Sequence, residues 1–281
     1  MSRILPTAIQ PPLAAAIFAV LVGCAHQTPT PQPENWAKPE AQPALMTESA
    51  SASDILQRMA NVLAKAPKFT VNLNDQYDTV QASGQKLEFS SQRTITVSRP
   101  NGLKVEHVDS HGEKQVVYYD GQDITVFNPK ANVYAQTSKA GGIDAAVKYF
   151  LKDLNMKLPL ALLLVSQLPN ELEQRTQVLD YVEQTTLNGQ PVHHLAGQTD
   201  TVDYQVWVTL GSQPLPLRVV LTYKHAEGQP QFRAQLSDWN LTPAIDDSGF
   251  SFAPPEGAKK IAFLAHVPRS EEHTSELQSQ R

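Results

Sequence analysis

The sequence predicts an α+β fold: a strongly curved antiparallel half-barrel of about eleven strands, with helices that plug or lid its concave face. Apolar and polar residues alternate through two long blocks of the chain, which is the pattern of half-buried antiparallel strands. Between these blocks lies the run LPLALLLVSQLP, residues 158–169. This run is too short to cross a bilayer, which takes about 20 apolar residues. It must therefore be buried against the rest of the domain.

The first block begins with a helix and continues as a meander of strands. Ser53–Lys65 opens with a capping serine and places its apolar residues on one face, which predicts an amphipathic helix that Pro67 stops. The Asp120-Gly121 pair predicts a hairpin turn between two strands. Alternating residues predict strands around positions 69–73, 95–97, 103–107, 116–119, 124–127 and 132–136.

The middle of the chain and the second block complete the layout. Residues 143–154 have apolar side chains at helical spacing, and residues 159–166 predict a short helix that is apolar on nearly all sides. A twisted sheet of this size curls, so its hollow must be filled by side chains, a helix or a ligand. We expect the apolar helix to plug or lid that hollow. Further strands are predicted at 178–187, 192–197, 204–210, 217–223 and 232–239.

The N-terminus has the features of an exported, lipid-anchored protein. Residues 1–23 combine one charge, Arg3, with a short apolar core, as in a secretory signal peptide. Leu21-Val-Gly-Cys24 resembles a bacterial lipobox, in which the cysteine carries the lipid, and Cys24 is the only cysteine. Ala25 follows it, which by resemblance to enteric lipoproteins favours the outer membrane. We predict a lipoprotein at the periplasmic face of the outer membrane.

Two further segments lie outside the predicted domain, which spans residues 51–268. Residues 24–50 contain five prolines and predict a lipidated, semi-stiff tether that could reach about 80 Å when fully extended. Arg269–Ser279 matches the translation of a common sequencing adapter. We therefore interpret residues 269–281 as an artefact, which leaves the true C-terminus open.

Composition and motifs argue against catalysis and against nucleic-acid binding. The net charge is −5, and the scattered lysines and arginines form no basic patch. Glycine-rich phosphate loops, nucleophile elbows and zinc-protease motifs do not occur in the sequence. His193 and His194 are adjacent, so on a strand they face opposite sides and make poor joint ligands. We expect no enzymatic activity, no cofactor and no metal site.

Several strings resemble those of known families. VSRPNGLK (97–104), YDGQDITVFNPK (119–130), VWVTLGSQPLPLR (206–218) and FSFAPPEG (250–257) follow one another as in periplasmic lipoprotein carriers and their receptors. A narrower resemblance covers nearly all of residues 53–263. There, LPLALLL (158–164), YKHAEGQPQF (223–232) and LSDWNL (236–241) are similar to an uncharacterised group of predicted periplasmic proteins, domain of unknown function 2092.

The carrier resemblance implies an eleven-stranded half-barrel that helices close over a hydrophobic cavity for acyl chains. It also implies that Arg99, in the Arg-Pro motif, helps to hold the lid shut; a solvated arginine at a strand end is the alternative. With its own lipid anchor, the chain resembles the membrane-bound receptor more than a diffusing carrier. The exposed apolar loop with which that receptor engages membranes is not recognisable in the sequence.

Two functional hypotheses follow. The protein could bind a lipid, a lipoprotein acyl chain or another hydrophobic ligand in the half-barrel. Alternatively, it could be an envelope protein–protein interaction or stress-sensing module with a closed cavity. A hollow packed solid by the leucines of the apolar run would exclude the first hypothesis. The candidate residues of the ligand cavity or its lid, each of which could instead fill the core, are Phe150, Leu160, Leu163, Leu164, Trp207 and Phe232.

Overall fold

The computed structural model describes residues 51–153 and 158–263. The predicted signal peptide, Cys24, the tether and residues 269–281 lie outside the described residues, as does Leu154, the last apolar position of the predicted second helix. The described residues belong to one compact unit, and the buried hydrophobic residues among them form its core. This part of the chain therefore has its own hydrophobic core.

Within the described residues, twelve strands form one open sheet, which confirms the predicted curved half-barrel. Neighbouring strands are antiparallel, except that the short last strand runs parallel to β6 and was not predicted. The order across the sheet is β12-β6-β5-β4-β3-β2-β1-β11-β10-β9-β8-β7. The strands are β1 (Lys68–Val80), β2 (Lys86–Ser98), β3 (Gly102–Asp109), β4 (Lys114–Tyr119), β5 (Asp123–Asn128), β6 (Val133–Ser138), β7 (Val178–Leu187), β8 (Gln190–Gln198), β9 (Val202–Thr209), β10 (Pro216–Tyr223), β11 (Gln231–Asn240) and β12 (Lys259–Ile261).

The pairing of β1 with β11 joins the two blocks of strands. These strands are far apart in sequence, yet they pair from Thr70 with Asn240 to Tyr77 with Phe232. On its other side β1 pairs with β2 along its whole length. Strand β1 therefore lies in the interior of the sheet, and its alternate side chains enter the core on the concave face.

The first helix, α1 (Ala52–Lys65), packs its apolar side on the concave face. Its N-cap is Ser51, so the predicted cap at Ser53 is wrong. The Ser51 hydroxyl accepts a hydrogen bond from the Asp54 amide at 3.1 Å, and the Asp54 carboxylate accepts one from the Ser51 amide at 3.2 Å. The box needs a hydroxyl side chain three residues before an acidic or amide side chain; Ser51 has Asp54 at that spacing, whereas Ser53 has Leu56. The buried residues of α1 are Ile55, Leu56, Met59, Ala60 and Leu63.

The middle of the chain differs from the predicted pair of helices. Helix α2 (Ile143–Lys148) continues as one π-helical turn over Tyr149–Asp153. The predicted helix over 159–166 is instead a single 3₁₀ turn, Ala161–Leu164. It is followed by α3 (Leu168–Arg175), which was not predicted; its Pro169 lies in the first helical turn, where a proline is tolerated.

The core lies between the concave face of the sheet, the helices and residues 158–166, which we call the apolar segment. Among residues 51–153 and 158–263, no helix combines the length and the hydropathy that crossing a membrane demands. The strand residues that enter the core and are at most 1% exposed are Phe69, Val97, Tyr119, Ile124, Leu195 and Val208. Strands β7 and β12 contribute no buried residue.

Candidate functional site

A cavity of about 420 Å³ lies between the apolar segment, α1, α3 and strands β9 and β10. Small-molecule sites occupy about 300–1,000 Å³, so its volume is typical of a binding site. Most of its wall is apolar. The apolar side chains come from Leu56 and Met59 of α1, Leu151 of the π-helical turn, residues 158–163 of the apolar segment, Leu168 and Leu172 of α3, and Val202, Val206, Val219 and Leu221 of the sheet.

The apolar segment covers the cavity without filling it. Leu160 has φ 64°, a left-handed conformation that costs a residue with a side chain about 1–2 kcal/mol. The chain turns there, so that Leu160, Leu162 and Leu163 remain half-buried at the wall while Leu164 enters the core. A hollow packed solid by these leucines would have excluded ligand binding. The leucines leave the hollow unfilled, so the ligand-binding hypothesis stands.

The polar groups of the wall gather at the end where β8 turns into β9 and where β10 stops. The hydroxyls of Tyr204 and Thr176 lie 2.9 Å apart and share a hydrogen bond. Burial raises the pKa values of Tyr204 and Tyr223, so both phenols stay protonated. The residues that supply polar groups are Arg175, Thr176, Thr199, Thr201, Tyr204 and Tyr223.

Arg99 lies outside the cavity wall, where it binds the C-terminus of α1. Its guanidinium donates to the carbonyls of Ala66 at 3.2 Å and Leu63 at 3.3 Å. A cation at this position compensates the helix dipole and the unpaired carbonyls of the last turn. Burial lowers the pKa of Arg99, and the charge of Asp144 opposes this shift.

Asp144 connects α2 to the apolar segment. Its carboxylate accepts hydrogen bonds from the Ser166 amide at 2.9 Å and from the Ser166 hydroxyl at 2.6 Å. Arg99 therefore holds α1 by direct contact, whereas it is related to the apolar segment only through the charge of Asp144.

Two of the six predicted cavity residues, Leu160 and Leu163, lie in the cavity wall. Leu164 and Phe232 are buried in the core instead, and Phe150 packs against the core beside the ring of Tyr149. Leu164, Phe232 and Phe150 are therefore not part of the cavity wall.

Trp207, a candidate for the cavity or the core, lies outside the cavity wall. Its neighbour Val206 is buried in the wall, and adjacent strand residues point to opposite faces. The Trp207 ring lies on the other face, stacked on His194 with 4.1 Å between ring centroids and with Arg218 above it. Tyr204 and Tyr223 were missed as cavity residues, although each alternates in phase with a wall residue, Val206 or Leu221.

A row of apolar side chains continues the cavity wall across the sheet. Tyr204 pairs with Leu221, Leu221 with Phe232, Phe232 with Tyr77, and Tyr77 with Phe89. Directly paired residues share a face of the sheet, so the whole row lies on the concave side. Tyr77 is 41% exposed, and its ring stacks on Phe89 at 5.9 Å. The concave face thus stays apolar and accessible beyond the cavity.

A buried ion pair lies beside this row. The Asp75 carboxylate has no exposed surface; it accepts hydrogen bonds from Arg93 at 2.6 Å and from the Ser91 hydroxyl at 2.8 Å. Burial raises the pKa of Asp75, and Arg93 and Ser91 oppose this shift. In the part of the chain that the structure describes, no group of three or more histidine, cysteine or acidic side chains is arranged to hold a metal ion.

The chain matches one family model, and its structural relatives are distant. The family model described as predicted periplasmic protein (DUF2092) matches residues 52–264. No curated protein matches the chain. Among solved structures, it is similar to a LolA superfamily protein from Nitrosomonas europaea, with 11% identity, a TM-score of 0.38, and 72% of this chain and 98% of that chain covered.

Two other solved structures show a similar degree of likeness. The lipoprotein LppX from Mycobacterium tuberculosis is 10% identical, with a TM-score of 0.43 and coverage of 69% of this chain and 98% of that chain. MucB, solved in complex with MucA(peri), is 18% identical, with a TM-score of 0.38 and coverage of 72% of this chain and 60% of that chain. These TM-scores are too low to support a conclusion about the ligand or partner of this chain.

Proposed function

The chain belongs to the DUF2092 family of predicted periplasmic proteins, and we propose that it binds an acyl chain or another elongated apolar molecule in the cavity beneath the apolar segment. The observation that carries this proposal is an unfilled volume of about 420 Å³ with a wall made mostly of leucine and valine side chains. Each methylene group that a ligand buries there contributes about 0.8 kcal/mol. The role is one of binding, without catalysis.

The proposed contacts follow from the geometry of the wall. Leu160 and Leu163 touch the ligand from the lid side, and Val219 and Leu221 touch it from the sheet. Leu164, Phe150 and Phe232 belong to or pack against the core around this wall. Arg99 contributes to closure by fixing α1, which supplies Leu56 and Met59 to the wall.

Native mass spectrometry with lipid extraction tests this proposal. A fragment that begins at residue 48 is purified from a bacterial periplasm as wild type, as Leu163→Asp and as Leu187→Asp. Leu187 is also half-buried but lies at the end of β7, outside the cavity wall. We expect bound lipid in the wild type and in Leu187→Asp, and its loss in Leu163→Asp with unchanged circular dichroism. A wild type free of apolar ligand after gentle purification would contradict the proposal.

Membrane anchoring through Cys24 is the second part of the proposal. Lipid attached to this cysteine would hold the domain at the periplasmic face of the outer membrane, and two or more acyl chains make such anchoring stable. Alkyne-tagged palmitate should label the full chain in cells, and Cys24→Ala should abolish the label. Recovery of the wild type in the inner-membrane fraction would contradict the outer-membrane assignment.

A protein-binding role is the second candidate function, and strand β7 favours it. This strand is at one edge of the sheet, and Val178, Tyr181 and Val182 on it are exposed large hydrophobic residues. An edge strand with unpaired backbone groups can add a partner strand. A photo-crosslinker at Val182 should then give a discrete protein adduct in cells. Absence of any adduct, together with a lipid-filled cavity, would exclude this candidate.

A further inference from the structure

The polar end of the cavity contains hydroxyl donors that are available to a ligand. Among the described residues, the Tyr223 hydroxyl has no hydrogen-bond partner, although the side chain is half-buried and burial alone raises its pKa. Tyr204 and Thr176 share one hydrogen bond, so one of their two O–H groups is left over. Tyr204 pairs with Leu221, which makes Tyr223 its diagonal neighbour at about 7–8 Å between backbones.

The charges at this end already have partners. Arg175, the charged residue of the wall, donates to the Glu171 carboxylate at 2.7 Å. Lys224 donates to the Thr199 carbonyl at 2.7 Å and lies 3.5 Å from the Asp203 carboxylate. Asp200 lies in the same turn, so this end carries three carboxylates and only two cations. The carboxylates are Glu171, Asp200 and Asp203, and the cations are Arg175 and Lys224. An anionic head group would therefore meet no uncompensated positive charge.

We infer that the ligand is an amphiphile with an uncharged, hydrogen-bonding head group, such as an alcohol, ester or amide, bound beside Tyr223 with its apolar tail beneath the apolar segment. This inference rests on the proposed function. Partial burial of a neutral hydroxyl or amide is inexpensive when hydrogen bonds are offered, whereas an ionised carboxylate loses far more hydration free energy. Tyr223 is thus a specificity-determining residue, and it selects the head group.

The test compares two probes with the same alkyl chain, decan-1-ol and decanoate, at about pH 7.5. The fragment that begins at residue 48 is titrated with each probe by isothermal calorimetry. We expect decan-1-ol to bind at least tenfold more tightly than decanoate. Tyr223→Phe should weaken decan-1-ol binding about fivefold, because a neutral hydrogen bond contributes about 0.5–1.5 kcal/mol.

The matched control is Tyr134→Phe, which removes a phenol from β6, seven strands away from β10. It should alter neither affinity. Decanoate binding as tightly as decan-1-ol, or an unchanged alcohol affinity in Tyr223→Phe, would overturn the inference and leave the proposed function standing. Failure of both probes to bind wild-type protein would overturn both. If Tyr223→Phe does not fold, Thr176→Val tests the same polar end.

Discussion

Gly197 and Tyr204 face each other across β8 and β9, and the ring of Tyr204 lies directly over the glycine. A Cβ atom at position 197 would lie 2.2 Å from Cζ of that ring. The missing side chain lets the ring lie flat on the sheet, which brings the Tyr204 hydroxyl to Thr176 at the polar end of the cavity. A glycine in β8 thereby shapes a cavity whose polar groups come from other elements.

Gly197→Ala should displace the Tyr204 ring and destabilise the fold by about 1–3 kcal/mol, the usual cost of overpacking. Denaturant unfolding of a double-mutant cycle with Tyr204→Ala measures this contact. In the Tyr204→Ala background, Gly197→Ala should cost little, because the clashing ring is gone. The same cost in both backgrounds would show that the ring does not restrict position 197.

Arg99→Met should loosen α1. It removes two hydrogen bonds to carbonyls at the C-terminus of α1. Each hydrogen bond from a charged donor contributes about 1.5–3 kcal/mol to stability. Hydrogen exchange should quicken in α1 more than in the apolar segment. Arg99→Lys, which keeps the charge, is the matched control. Faster exchange confined to the apolar segment would instead assign Arg99 to that segment.

Asp144→Ala should release the apolar segment. It removes both hydrogen bonds to Ser166, each worth about 1 kcal/mol. We expect faster hydrogen exchange at residues 161–165 and faster ligand dissociation, with α1 unaffected. Asp153→Ala removes an exposed carboxylate from the neighbouring turn and serves as the control. Equal dissociation rates in both variants would contradict a closing role for the Asp144–Ser166 contact.

Arg93→Met should destabilise the fold at neutral pH by about 3–5 kcal/mol, because Asp75 is left as a buried charge without its partner. Burial already raises the pKa of Asp75 above the ordinary 3.8, and loss of Arg93 raises it further. Between the pKa of Asp75 in the unfolded chain and its raised pKa in the folded variant, the folded variant holds a proton that the unfolded chain has released. The variant therefore loses stability as the pH rises through this range and regains it as the pH falls.

Chemical denaturation of Arg93→Met and wild type across the acid-to-neutral range measures this effect. The difference in unfolding free energy should shrink toward low pH. Arg93→Lys, which retains a cation, should follow the wild-type profile more closely. A difference that stays constant with pH would mean that Asp75 is not the group responsible.

Local elements of the fold could be predicted because their signals lie in neighbouring residues. The Asp120-Gly121 pair formed the expected hairpin turn: Gly121 has φ 90°, and the Asp120 carboxylate accepts hydrogen bonds from the amides of Gln122 and Asp123. The apolar run was correctly expected to cover the hollow of the sheet, since a segment with so few polar side chains has to be buried. Its conformation was not predictable, because tertiary contacts outweigh helix propensity in so short a segment.

Long-range features could not be predicted in the same way. No local pattern specifies that Tyr77 pairs with Phe232, and this pairing sets which strands border the cavity. Trp207 was a candidate for the cavity or the core, and the structure places it on the face opposite the cavity, because a single aromatic among polar residues gives no sign of which side is concave. The polar end combines Thr176 with Tyr223, which are brought together only when α3 and β10 fold onto one another.

The central claim is that an apolar chain enters the cavity, and a quenching measurement tests it most directly. Leu221 lines the cavity, and its neighbour Thr222 points to the other face of β10. The only cysteine is Cys24, so a fragment from residue 48 can carry a single bimane-labelled cysteine at either position. Acyl chains bearing a nitroxide should quench bimane in Leu221→Cys strongly and in Thr222→Cys weakly. Equal quenching at both positions, or none at Leu221→Cys, would contradict the claim.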